Sequence, residues 1–298
     1  MTDFEDRFWS SRDGLKLHFR DYPGPGHTDG QAGGEAGGQA RPPVLCLHGL
    51  TRNARDFDVL APRLSDRWRV ICPDMRGRGD SEYAKDSASY TPMQYCEDVL
   101  ALLDREGIDR FVAIGTSLGG LMTMGLATVI PERIAGVVVN DVGPWLEPAG
   151  LARIKDYVGQ GRSYATWVHA ARGIEGTQGA AHPGQPLDFW IGMAKRIMTL
   201  SSNGRIVFDY DMKIAEPFLE FDVDNQADLW PAWEALAGRP VLVLRGALSD
   251  LLSEATMAEM VRRLPGTEAV TLGNVGHAPT LDEPEAVAAV ERLLARVD

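Results

Sequence analysis

Arg110-Phe111-Val112-Ala113-Ile114-Gly115-Thr116-Ser117-Leu118-Gly119-Gly120 is a short apolar run that passes through Gly-x-Ser-x-Gly and continues to Ile130 without a proline. Phe111 to Ile114 has no polar alternation, which predicts a strand covered on both faces, and Leu118 to Ile130 predicts a helix. A serine hydroxyl is a poor nucleophile unless it is held exposed beside a base. A sharp strand-to-helix turn does that, with glycines allowing backbone to crowd the corner. The pentapeptide alone arises by chance in roughly one chain in seven of this composition, so its position between strand and helix carries the reading. The bland alternative is a glycine-rich turn with a solvated serine.

The rest of the chain limits what such a turn serves. At 298 residues and 44% hydrophobic, it is long enough for a full core and a subdomain. A net charge of -12 with no compact basic cluster argues against nucleic acid or an anionic membrane as partner, leaving a small-molecule substrate. The start, Met1-Thr2-Asp3-Phe4-Glu5-Asp6, lacks the basic-then-apolar order of a signal peptide, and no run approaches a membrane span. The expected location is cytoplasmic. Cys46 and Cys72 fall in apolar runs and Cys96 in a helical segment, so all three read as packed thiols.

The chain is expected to open with a hairpin turning at Asp13-Gly14, followed by a glycine-rich surface loop from Gly24 to Gln39. Apolar runs at 44–47, 69–72, 111–114, 137–139, 241–244 and 269–272 then alternate with helical patterns near 54–65, 92–106, 117–130, 253–264 and 283–297. That alternation predicts an α/β fold: a mostly parallel central sheet with helices on both faces. From 145 to 232 the strand rhythm stops. Tryptophans 145, 167, 190, 230 and 233 sit there among amphipathic segments, giving a division into core (1–144), helical cap (145–232) and core (233–298). Trp145, Trp167, Phe189, Trp190, Met193 and Met198 read as the cap's own core rather than a binding wall. Arg153, Arg162, Arg172, Lys195 and Arg196 suit a solvated helix face better than a carboxylated substrate.

In an open parallel sheet, ligands bind beyond the carboxyl ends of the strands. Those ends carry His48-Gly49-Leu50-Thr51, the turn Asp74-Met75-Arg76-Gly77-Arg78-Gly79-Asp80-Ser81, Ser117, Arg245-Gly246-Ala247-Leu248-Ser249-Asp250 and Gly276-His277. Nucleophile, acid and base follow in the order Ser, Asp, His. Of the six histidines, those at 18, 27, 48, 169 and 182 do not follow the terminal strand; His277 does. Asp250 is the favoured acid, and Asp141, directly after Val137-Val138-Val139-Asn140, is its competitor. His48, Arg76 and Asp80 read as braces of their loops. No His-x-x-x-His, Cys-x-x-Cys or dinucleotide fingerprint is present, so neither metal nor cofactor is expected.

These motifs, from about residue 8 to 297, closely resemble the α/β-hydrolase superfamily, in particular its capped esterases, lactonases and carbon–carbon bond hydrolases. The resemblance implies that Ser117 is the nucleophile, His277 the general base and acid, and Asp250 the carboxylate that orients the imidazole. The backbone N–H groups of Leu50 and Leu118 would then receive the oxyanion. The leading expectation is a cofactor-free serine hydrolase of a small ester, thioester or lactone working through an acyl-enzyme. The alternatives are cleavage of a carbon–carbon bond in a vinylogous diketone and a ligand-binding protein without turnover on the same fold.

Overall fold

The computed structural model describes residues 4–25 and 41–297. Most of the glycine-rich tract expected to form a loop lies outside the described residues. The chain opens with an antiparallel hairpin, β1 (Glu5–Ser10) and β2 (Lys16–Tyr22). It continues through β3 (Val44–Leu47), α1 (Leu60–Ser65), β4 (Val70–Pro73), α2 (Pro92–Arg105), β5 (Phe111–Thr116), α3 (Leu118–Val129) and β6 (Ile134–Asn140). An excursion follows: α4 (Pro148–Tyr157), β7 (Ser163–Tyr164), α5 (Trp167–Gln178), α6 (Leu187–Ile197), β8 (Met198–Leu200), β9 (Ile206–Phe208), α7 (Ala215–Leu219) and α8 (Trp230–Glu234). β10 (Val241–Gly246), α9 (Glu254–Arg263), β11 (Glu268–Leu272) and α10 (Pro284–Leu294) complete the chain.

The main sheet has the order β1-β2-β4-β3-β5-β6-β10-β11, antiparallel at β1, β2 and β4 and parallel from β4 to β11. Its central strands, β3 to β6 and β10, are buried on both faces, and the period of two sorts their side chains into two apolar layers. Leu45, Ile71, Phe111, Ala113, Val137, Val139 and Val243 enter one layer; their neighbours Val44, Cys46, Cys72, Val112, Ile114, Val138 and Leu244 enter the other. Cys46 and Cys72 are fully buried free thiols. Cys96 gives its thiol to the carbonyl of Met122, and burial pushes its pKa up to about 12, so it stays protonated. Among the described residues, no helix is long and apolar enough to cross a membrane.

The excursion is mostly helical but also holds a three-stranded antiparallel sheet, β7-β9-β8, which the sequence pattern did not announce. Strands of two or three residues are too short to show alternation. Its own core contains Ala170, Ile174, Trp190, Met193, Ile197, Met198 and Ile206, with Trp167 and Phe189 packed alongside. The Trp190 indole N–H has no hydrogen-bond partner among the described residues, so the ring contributes packing alone. Trp190→Ala should therefore cost about 3–5 kcal/mol of stability, whereas Trp190→Phe should cost distinctly less. Urea unfolding checks this: equal losses in both variants would show that the indole N–H matters.

Candidate active site

Ser117 stands between β5 and α3 with φ 52°, a left-handed conformation that a serine adopts only when its surroundings impose it. The constraint is visible on both sides. Its backbone N–H donates to the carbonyl of Asn140 at 3.0 Å, and a Cβ added at Gly119 would collide with the carbonyl of Leu47. Only glycine lets α3 pack this tightly against β3, which is why the turn needs Gly119.

The serine hydroxyl lies 3.0 Å from His277 Nε2, and His277 Nδ1 lies 2.9 Å from Asp141 Oδ2. The carboxylate that faces His277 is therefore Asp141, not the favoured Asp250. Register explains the correction: Thr116 on β5 pairs with Asn140 on β6, so the residues after them, Ser117 and Asp141, emerge side by side. Asp141 is fully buried and accepts from the Gly246 N–H at 2.8 Å and the Ser249 hydroxyl at 2.7 Å as well as facing His277. A carboxylate that can only accept fixes the proton on Nδ1, which leaves Nε2 free to accept from Ser117.

Asp250 is instead held by α4 of the excursion. A Cβ on Gly150 would sit 2.6 Å from the carbonyl of Asp250, so α4 lies directly on the loop after β10. One turn later, Arg153 donates to Asp250 through Nε at 2.5 Å and Nη2 at 2.8 Å. Burial alone would raise the Asp250 pKa, but the bidentate guanidinium outweighs it and holds the carboxyl below the usual range. The sequence pattern could not separate the two aspartates, because each follows an apolar run at the same sheet edge. Ser249, which supports Asp141, carried no signal of its own.

The loop after β3 is braced from beneath. His48 is fully buried, and burial, with Arg78 nearby, lowers its pKa to about 4, so the ring is neutral. Its Nε2 accepts from the Met75 N–H at 3.1 Å and its Nδ1 donates to the Gly49 carbonyl at 2.8 Å. Arg78 Nε donates to the carbonyl of Leu50 at 2.9 Å. Among the described residues, neither the Leu50 N–H nor the Leu118 N–H is given to a protein acceptor, and both residues line the cavity that holds Ser117. The Leu118 N–H is also one of the unsatisfied donors at the start of α3. Arg76 braces the neighbouring turn through Asp98 and Asp13. His18, Asp74 and Asp80 cluster there with metal-ligand proximity, yet Asp74 is already occupied by His18 and by the N–H groups of Ala54 and Asp80.

The cavity, about 300 Å³, has walls from the loops at the sheet edge and from the excursion between β6 and β10. Of the cations in the excursion, Arg153, Arg162 and Arg196 line it. Arg172 instead pairs with Glu175 on an exposed helix face, and Lys195 is exposed. His182 and Arg52 also line the cavity, and neither was singled out by the sequence pattern.

Comparison with known proteins agrees with this architecture. A profile of the alpha/beta hydrolase family matches residues 44–290. The chain belongs to that family. It is 38% identical to a 3-hydroxybutyrate-oligomer hydrolase of Cupriavidus necator, over 85% of this chain and 89% of that protein. It is 27% identical to a 2-(acetamidomethylene)succinate hydrolase of Mesorhizobium japonicum, over 82% and 84%. Among solved structures, an alpha/beta hydrolase of Novosphingobium aromaticivorans is 58% identical and superposes with a TM-score of 0.91, covering 99% of both chains. The relatives named here are all hydrolases.

Proposed function

We propose that the protein is a serine hydrolase that cleaves a small ester through an acyl-enzyme, with Ser117, His277 and Asp141 as its catalytic triad. The observation that carries this is the unbroken chain of two hydrogen bonds from Ser117 through His277 to Asp141. His277 takes the hydroxyl proton as Ser117 attacks the ester carbonyl, and Asp141 stabilises the imidazolium that forms. Collapse of the tetrahedral adduct expels the alcohol, which receives that proton from His277. Water then attacks the acyl-serine by the reverse sequence of proton transfers. The Leu50 and Leu118 N–H groups, unspent on the protein, are the donors for the oxyanion; each such donor contributes roughly 3 kcal/mol to the transition state.

The likeness to a 3-hydroxybutyrate-oligomer hydrolase favours an ester of a short hydroxy acid as substrate. Covalent labelling tests the reading. A fluorophosphonate should modify the wild-type protein stoichiometrically at Ser117, because the turn exposes the oxygen and His277 activates it. Peptide mapping that located the adduct on another serine, or found none, would overturn the assignment. Release of 3-hydroxybutyrate from its linear dimer tests the substrate class.

A further inference from the structure

His182 lies in the cap between α5 and α6, is 4% exposed and lines the cavity, yet neither of its ring nitrogens has a hydrogen-bond partner among the described residues. The ring nitrogens are not among the fully enclosed unpartnered polar atoms of the described residues, so they stay accessible to a group that enters the cavity. The position of the ring is nevertheless tightly set. Phe189 and Trp190 contact the ring at centroid distances of 5.3 and 6.1 Å. Beside it, the carbonyl of Ala181 accepts from the Gly276 N–H at 2.6 Å, and that of Pro183 accepts from Asn274 Nδ2 at 3.3 Å. The loop carrying His182 is thus tied to the loop carrying His277. Burial, Arg52 and His277 lower the pKa of His182 to about 4, so the ring is neutral and offers one N–H.

Arg52 supplies the complementary charge. It follows Leu50 by two residues, and Asp56 engages its Nε and Nη2, leaving Nη1 without a partner among the described residues. An acid behind a guanidinium orients it while one edge stays available. Of the other arginines in the wall, Arg153 and Arg196 are paired with Asp250 and Asp282, and Arg162 donates to the Gln160 side-chain oxygen, whereas Arg52 keeps one edge available. A neutral hydroxyl can accept from either group but meets the guanidinium without charge; a carboxylate accepts from both and makes the stronger, charge-assisted bond to Arg52.

We propose that Arg52 and His182 form a carboxylate subsite beside Ser117, so that the preferred ester carries a free carboxylate. The proposal rests on the reading of Ser117 as the nucleophile of an ester hydrolase. It suits a linear hydroxy-acid oligomer, which ends in such a group.

The test compares the linear dimer of 3-hydroxybutyrate with its carboxyl-terminal amide, each of which holds one ester bond. Wild type should favour the acid by about 10- to 100-fold in kcat/KM, the range expected for hydrogen bonds to a charged group. Arg52→Met and His182→Phe should each bring that ratio to within about threefold of unity, while His182→Asn, which keeps a donor, should retain part of it. Arg172→Met removes an exposed arginine away from the cavity and should keep the wild-type ratio. Labelling of Ser117 by a fluorophosphonate with a wild-type ratio at or below one overturns the subsite alone. So does an unchanged ratio in folded Arg52 and His182 variants. No labelling and no cleavage of either dimer overturns the hydrolase reading, and the subsite with it.

Discussion

Ser117→Ala should lower kcat/KM by about five to six orders of magnitude while leaving the protein folded, since removing a nucleophile of this kind costs about as much as removing the whole triad. The substitution deletes one oxygen whose hydrogen-bond partner is His277 at 3.0 Å, at a partly exposed turn, so little packing is lost. Alanine also keeps the Cβ that makes φ 52° unfavourable, so it neither adds nor relieves backbone strain there. Thermal unfolding should accordingly match wild type to within a few degrees. Glycine at the same position would remove the strain as well as the oxygen, so Ser117→Gly should be inactive and somewhat more stable than Ser117→Ala. Retention of more than a hundredth of the wild-type rate in Ser117→Ala would mean that another group attacks the substrate. Loss of folding would mean that the serine is structural.

Much of this arrangement was legible in the residues. Apolar strand runs followed by helical patterns gave the parallel sheet, because strands buried on both faces cannot hide their composition. The serine turn and the terminal Gly276-His277 were legible for a different reason: one joins a strand end directly and the other lies in the short loop after the last strand, where chain order and spatial order coincide. The acid was harder. Asp141 and Asp250 both follow apolar runs, and what decides between them is three-dimensional: the pairing of Thr116 with Asn140, the donors Gly246 and Ser249, and Arg153 reaching across from the cap. None of these leaves a mark at the spacing of neighbouring residues. The excursion between β6 and β10 was read less well still. Its pattern implied helices, yet short strands pair across it, and the cap arginines expected on a solvated face divide between cavity and surface. His182 had no neighbouring motif at all; only its place in the cavity wall without a hydrogen-bond partner picks it out.

Replacing the acid tests that correction directly. Asp141→Asn should lower kcat by about four orders of magnitude, and Asp250→Asn by no more than about tenfold. The chemistry behind the first effect is a tautomer. Oδ1 accepts from the Gly246 N–H, so the asparagine carbonyl is expected to stay there, which turns its amide N–H toward Ser249 and His277 Nδ1. An amide that donates to Nδ1 requires the imidazole proton on Nε2, where it faces Ser117 and blocks the transfer that catalysis needs. Geometry survives and the base is lost. Asp250→Asn removes one partner of an ion pair whose two side chains are about one-third exposed, at 32% and 33%, and such pairs contribute about 1 kcal/mol or less. Its consequence should fall on the fit between α4 and the β10 loop, hence on KM more than on kcat. Proton NMR adds a readout independent of turnover: the low-field Nδ1–H resonance of His277 should persist in Asp250→Asn and vanish in Asp141→Asn. A larger loss of kcat in Asp250→Asn than in Asp141→Asn would return the acid to the loop after β10.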